Sequence, residues 1–373
     1  MSKNTTELEQ ILVSHMNSKA LFHKLYKNII VQLAITINTL ISYPGGKFKM
    51  RKELNLIYNE LSENNSYDTL IDPFCGMGGS IKSLEPSLIK SGVKKIIMND
   101  INIRIITLHE NVRNHKDEMI EEIIEIIREK ILKRHNRLFI TIDELHNIQT
   151  ELREEFYTLQ NNKDFGISLS VRLILLAQFN YSGVMTFQKN GDIRFVAGIY
   201  DAPDIKGFLF NAIESINVFN RLYNQFEMKF YNNDYFEVYN NFKYLPNTLW
   251  NIDTVYVKEN YSEYIESEMD NLQNHEILGC SCNYSKSSFP HIEVLETLKD
   301  IDFIYNNNIH PIIQHFKKKL KLNSIFFERK ESINAKDKTE VKRVTEVILY
   351  QNNFSRTLLL EPINKSVVEM EVA

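Results

Sequence analysis

The stretch TLIDPFCGMGGSIKS, residues 69 to 83, decides how this chain is read. A short apolar run ends in an acid, Asp72, and a turn carrying Gly76, Gly78 and Gly79 leads into a helix start. A second apolar run, VKKIIMND, ends at Asp100. Strand, glycine turn, helix and strand in that order make a βαβ unit that feeds a parallel sheet. A glycine turn between strand and helix lets backbone approach a ligand where a side chain would intrude. In dinucleotide-binding folds an acid about 20 residues further on takes the ribose hydroxyls, and Asp100 stands at that distance. The run GMGGS lacks the G-x-G-x-x-G spacing, so a pyrophosphate ligand is poorly supported. By themselves these residues read equally well as a tight turn with no ligand.

Working outward, the chain has 373 residues, 43% of them hydrophobic and 25% charged, which is the composition of a globular protein with a full core. Its 44 basic and 48 acidic residues give a net charge of -4, so no global positive field points to nucleic acid. The N-terminal residues have no secretory pattern and no run reaches the roughly 20 apolar residues that span a bilayer, so a cytoplasmic location away from membranes is expected. Cys75, Cys280 and Cys282 make neither a disulfide framework nor a zinc site, and His275, His291 and His310 are scattered; no metal is expected. Residues 1–40 have helical spacing, as do FKMRKELNLIYNEL (48–61) and most of 103–180. Asn190-Gly191 between alternating runs predicts a hairpin over 185–198. Further strands are expected at 225–234, 251–261, 275–284, 323–329 and 343–351, and FKKKLKL (316–322) reads as a solvated helix face.

The loop does not stand alone. LISYPGGKFKMRKEL (41–55), DPFCGMGGS (72–80) and MNDIN (98–102), in this order, resemble the DNA adenine-N6 methyltransferases of the Dam-like D12 class. The resemblance continues through FNYSGVMTFQKNGDIRFVAG (179–198), FYNNDYFEVY (230–239), SCNYS (281–285), ESINAK (331–336) and EVILYQN (346–352). It implies an α/β fold, the Rossmann-like S-adenosylmethionine-dependent methyltransferase fold, with an inserted helical and β-hairpin subdomain that resembles a DNA-recognition region. The implied division is a helical extension at 1–40, a catalytic-type domain formed by 41–102 and 221–373, and the insertion at 103–220. By the same resemblance the cofactor is S-adenosylmethionine. Tyr43 packs beside it, Gly45, Gly46 and Lys47 form a turn closing over it, and Asp72, Phe74, Gly76 and Gly78 line its methionine side. Asp100 binds the ribose, and Asp234 with Tyr235 reaches the adenine.

The sequence departs from the family where the chemistry is done. Members carry Asp-Pro-Pro-Tyr after an apolar strand, and here IDTVYV is followed by Lys258, Glu259, Asn260 and Tyr261. An ammonium only donates, so Lys258 cannot accept from the target amine, and it sets positive charge where the transition state turns cationic. The expectation is a family protein that binds S-adenosylmethionine and double-stranded DNA but is impaired or inactive alone, a pseudo-methyltransferase working with a protein partner or as a homo-oligomer. Two alternatives stay open: an active enzyme in which Glu259 or Asn260 serves as acceptor, and a nucleic-acid or protein binding module with no cofactor. In the hairpin, Tyr181, Ser182 and Gly183 replace the family's Phe-Asn-Gly and Thr186 stands in place of an Arg, which weakens base reading. Glu331 likewise stands near the C-terminus where the family has an Arg. Lys189 and Arg194 remain as DNA-backbone contacts.

Overall fold

The computed structural model describes residues 37–41, 47–135, 140–179, 185–187, 192–195, 205–257, 289–332 and 341–350. Among these, β1 (Thr69–Asp72) and β2 (Lys95–Asn99) flank the glycine turn as the local pattern predicts. β5 (Glu227–Tyr231), β6 (Thr248–Asp253), β7 (Asp302–Asn308), β8 (Asn323–Ser332) and β9 (Val341–Tyr350) complete one seven-stranded sheet. A separate antiparallel pair, β3 (Met185–Phe187) and β4 (Ile193–Phe195), is the expected hairpin.

In space the large sheet runs β5-β2-β1-β6-β7-β9-β8. Its first five strands are parallel, and β9 alone runs against its neighbours β7 and β8. The chain therefore moves outward from β1 through β2 to β5, then returns to lay β6 on the other side of β1. The reversal between β1 and β6 is the topological switch point, and open α/β sheets bind ligands in the crevice outside the carboxyl ends of the strands at such a point. The Rossmann-like α/β methyltransferase fold expected from the sequence is the one observed.

Alternation along each strand sends residues to opposite faces and so builds two cores. Leu70, Ile96, Met98, Leu249, Ile304 and Ile348 belong to one. It takes in α1 (Arg51–Asn64), α2 (Gly79–Ser91) and the helices between β2 and β5: α3 (Ile103–Asn114), α4 (Lys116–Ile127), α5 (Ile142–Asn161), α6 (Ile167–Phe179) and α7 (Ile205–Tyr223). Ile71, Ile97, Trp250, Ile252, Phe303 and Tyr305 face the other core, under α8 (Tyr235–Phe242), α9 (His291–Thr297) and α10 (Pro311–Leu320). The inserted helices thus share apolar contacts with the sheet. α5 begins with a reciprocal cap in which Glu144 N–H donates to Thr141 Oγ1 at 3.3 Å and Thr141 N–H donates to Glu144 Oε2 at 2.7 Å.

Two elements differ from expectation. The strand expected at 251–261 starts earlier and stops at Asp253, because the segment beyond it is drawn out of the sheet by polar side chains of β7. β7 itself, DFIYNNN, was not expected, since three consecutive asparagines disfavour a strand. All three are buried here, and the side chains of Asn307 and Asn308 serve as hydrogen-bonding groups at the sheet's carboxyl edge. Of FKKKLKL, only part lies on α10, where Phe316 turns inward. The leader residues 1–36 and the strand expected at 275–284 lie outside the described residues.

Candidate active site

The glycine turn is held from three directions. Cys75 N–H donates to Asn99 O on β2 at 2.9 Å, and Gly76 N–H donates to Asp100 Oδ2 at 3.2 Å. His109 on α3 lies 2.7 Å from Gly76 O through Nε2, while its Nδ1 is 2.6 Å from the Tyr223 hydroxyl. A carbonyl only accepts, so Nε2 carries the proton and Nδ1 accepts from Tyr223. Burial pushes this imidazole down to about 4, which keeps it neutral.

The glycines divide their work. Gly76 has φ +46° and a Cβ there would meet nothing within 4 Å, so the turn is open at this point. Gly78 has φ +74° and a Cβ would stand 2.7 Å from Phe219 Cε1, so close packing against α7 requires a glycine here.

At the carboxyl ends of β1, β2 and β6 three acids converge. Asp72 is fully buried and accepts from Asn251 Nδ2 at 3.1 Å; burial first, then the nearby Asp253, pushes its carboxyl up to about 8. Asp100 receives backbone N–H groups on both oxygens, from Asn102 at 2.8 Å and from Gly76 at 3.2 Å. Burial raises it to about 6 against those hydrogen bonds. Asp253 was not picked out from the sequence. It ends β6 beside the switch point, and its carboxyl is raised by burial despite the opposing pull of Lys47.

Lys47 does not spread over a cofactor cleft. Its ammonium is buried 3.0 Å from Asp253 Oδ1 and 3.4 Å from Glu346 Oε2, and it donates to the Tyr256 hydroxyl at 2.6 Å. Tyr256 in turn donates to Glu346 Oε1 at 2.6 Å. Burial lowers the Lys47 pKa, but Asp253, Tyr256 and Glu346 together outweigh burial and hold it well above the usual range. The segment after Asp253 is fixed by β7: Val257 N–H donates to Asn307 Oδ1 at 3.2 Å and Asn308 Oδ1 at 3.0 Å, and Asn307 Nδ2 donates to Thr254 Oγ1 at 2.8 Å.

The remaining expected residues are distributed around this edge. Phe74 stacks on Tyr235 with centroids 5.2 Å apart, and the Tyr235 hydroxyl turns away to hydrogen-bond with Thr297 Oγ1 at 2.6 Å. The Asp234 side chain is exposed and caps α8 by accepting from Phe236 N–H at 2.8 Å. Ile101, next to Asp100, is 75% exposed, a large apolar side chain left open at the rim. Arg194 on β4 lies over the Tyr157 ring at 5.5 Å, and the hairpin is anchored by an Arg104–Asp192 ion pair to the first turn of α3. Tyr43, Gly45, Gly46, Lys189, Lys258, Glu259, Asn260 and Tyr261 lie outside the described residues.

A parallel sheet with a switch point, a glycine turn at the end of its first strand and an acid at the end of its second defines a Rossmann-like methyltransferase. A family model for the D12 class N6 adenine-specific DNA methyltransferases matches residues 43–245, and the chain belongs to that family. Asp253 lies beyond the matched span. Among curated proteins the chain is similar to the Type II methyltransferase M.MjaIII of Methanocaldococcus jannaschii, 26% identical over 172 residues that make up 45% of this chain and 55% of the relative. The match thus spans about half the length of that relative. Solved structures of the rRNA methyltransferase aviRa from Streptomyces viridochromogenes align over 84% of this chain and 90% of theirs at 10% identity with a TM-score of 0.31, and in a second structure over 83% and 86% at a TM-score of 0.32. Among the described residues no helix is long and apolar enough to cross a membrane, and no cluster of three metal-ligating side chains occurs.

Proposed function

We propose that the chain methylates adenine N6 in DNA, and that the acceptor for the target amine is Asp253 in the run Asp253-Thr254-Val255-Tyr256 rather than a residue of Lys258–Tyr261. The observation that carries this reading is the position of Asp253 at the carboxyl end of β6, beside the switch point and on the same face as Asp72. The spacing from Asp253 to Tyr256 equals that of the family's Asp-Pro-Pro-Tyr. The impairment expected from Lys258 depended on where the motif was placed, and with the acceptor at Asp253 that reason falls away.

The residues present fit S-adenosylmethionine. The Asp100 carboxylate suits ribose hydroxyls, the turn is open at Gly76, and Ile101 offers an apolar face at the rim. Among the described residues, Asn251 Oδ1 and both amide atoms of Asn306, the cross-strand partner of Asp253, are buried without a hydrogen-bond partner, so the edge has polar capacity to spare. When bound, S-adenosylmethionine supplies the methyl group.

The protein's own part is orientation. A base in a duplex is out of reach, so the adenine is swung out of the stack before reaction. Asp253 keeps capacity to accept, since Oδ1 faces Lys47 while Oδ2 receives, among the described residues, only the Ser80 hydroxyl at 3.4 Å. An ionised carboxylate there accepts from the amine, directs its lone pair outward and offsets the positive charge that develops on nitrogen. Rigidity that the family obtains from two prolines is supplied here by Asn307 and Asn308 gripping Thr254 and Val257. Arg194 and Lys189 on the hairpin contact the DNA backbone.

Labelled S-adenosylmethionine, mixed-sequence DNA and the purified chain test this directly. Methyl groups should appear on adenine, Asp253→Asn should lower the rate at least about a hundredfold with cofactor affinity kept, and Lys258→Asp should give no gain. A wild type that transfers nothing while Lys258→Asp restores transfer would return the motif to Lys258–Tyr261.

A further inference from the structure

Glu346 lies 93 residues beyond Asp253 on the one strand that runs against the sheet, yet it completes the same buried group. The Lys47 ammonium has three N–H donors and three partners: Asp253 Oδ1 at 3.0 Å, the Tyr256 hydroxyl at 2.6 Å and Glu346 Oε2 at 3.4 Å. Glu346 Oε1 receives the Tyr256 hydroxyl at 2.6 Å. Lys47 and Glu346 are nearly fully buried at 2% and 1% exposure, whereas Asp253 keeps 17%. One ammonium is thus shared between an enclosed carboxylate and one that reaches the open edge.

We infer that Glu346 is a positioning residue for methyl transfer: it shares the Lys47 ammonium with Asp253, so that the three groups together keep a net charge of about -1 facing the target amine. This rests on the reading of Asp253 as acceptor. The physical reason is charge balance in an enclosed site. A lysine paired with Asp253 alone would cancel the carboxylate and oppose the cation that develops on nitrogen, and charges count for most where water is excluded. With Glu346 present, two carboxylates and one ammonium leave one negative charge, and the exposed member of the pair carries it to the site. Among the described residues, the other titratable groups facing Asp253 are Asp72 from β1, Tyr256 on its own segment and Tyr305 from β7; Tyr305 is kept neutral by burial and Asp72 is held largely protonated at neutral pH.

Glu346→Gln keeps the shape and removes the charge. Expected are a kcat at least about tenfold lower, equivalent to ~1.4 kcal/mol, unchanged KM for DNA and unchanged cofactor affinity. The acidic limb of the kcat pH profile should move to lower pH, because Lys47 then acts on Asp253 alone. Glu346→Asp keeps the charge and should recover much of kcat with the limb back near the wild-type position. Thermal unfolding is followed for both variants. A kcat within twofold of wild type for Glu346→Gln overturns the inference. So does a lower kcat with an unmoved acidic limb and no recovery in Glu346→Asp, which is the pattern of a merely structural residue. If Glu346→Gln does not fold, Glu346→Met removes the charge in its place and is read by the same outcomes. A wild type with no transfer, or an active Asp253→Asn, removes the reading of Asp253 and the inference with it; an active wild type with inactive Asp253→Asn and normal Glu346→Gln removes the inference alone.

Discussion

Arg194 stands directly opposite Thr186 in the β3–β4 hairpin. Facing residues in an antiparallel pair share one side of the ribbon and lie about 5 Å apart at Cβ. The position left without an arginine at 186 therefore has one as its cross-strand neighbour, exposed on a strand whose Ile193 and Phe195 are buried. Arg194→Ala is expected to weaken DNA binding at each salt concentration and to reduce the slope of log affinity against log salt by about 1, the signature of one phosphate contact. Fluorescence anisotropy with a labelled duplex measures both; an unchanged slope would remove Arg194 from the interface.

The two positive-φ glycines of the turn should fail differently. Gly78→Ala forces a Cβ to within 2.7 Å of the Phe219 ring at a left-handed backbone position, and should cost about 2–4 kcal/mol of stability in denaturant unfolding. Gly76→Ala meets no neighbour, so its cost is limited to the left-handed backbone, about 1–2 kcal/mol. Its larger effect should be on S-adenosylmethionine affinity, read by calorimetry. Equal losses of stability in the two variants would contradict this division.

His291 and His310 make the fold acid-sensitive. Burial lowers His291 to about 3, with His310 adding to the effect, and burial lowers His310 to about 4, both from an ordinary 6.5. Below pH 6.5 the unfolded chain takes up protons that the folded chain refuses, so their contribution to stability is complete above that pH and is lost as pH falls toward 4. Asp72 and Asp100, raised on folding, act in the opposite sense between about pH 4 and 8. The comparison of variant with wild type cancels them. His291→Leu, which removes two buried ring nitrogens that lack partners among the described residues, should gain about 1 kcal/mol at pH 7 and more at pH 5. Urea unfolding at the two pH values tests this, and an equal effect at both would show that His291 does not carry the sensitivity.

Much of the first half of the fold is local in origin and was legible for that reason. β1, the glycine turn, α2 and β2 follow one another within 31 residues, and apolar runs, glycines and terminal acids mark each boundary. The hairpin was equally plain from Asn190-Gly191. β7 was hidden because strand propensity discounts asparagine, and only burial at the sheet edge gives Asn306, Asn307 and Asn308 a reason to be there.

Asp253, the proposed acceptor, shows the same divide more sharply. Read along the chain, IDTVYV is a run of strand-forming residues, and whatever follows it is taken as the catalytic segment. In the folded chain the strand stops at Asp253, since Asn307 and Asn308 outbid the sheet for the backbone and side chains of 254–257. Those partners are about 50 residues away in sequence, and Lys47 and Glu346 are further still. From the sequence alone came the class of fold, the glycine turn with its paired acids, the hairpin and the family resemblance, because each rests on residues within one βαβ unit or one turn. Where β6 ends, which carboxylate stands at the switch point and how its charge is balanced were decided only by tertiary structure, because they depend on buried polar groups that meet across four different strands and turns.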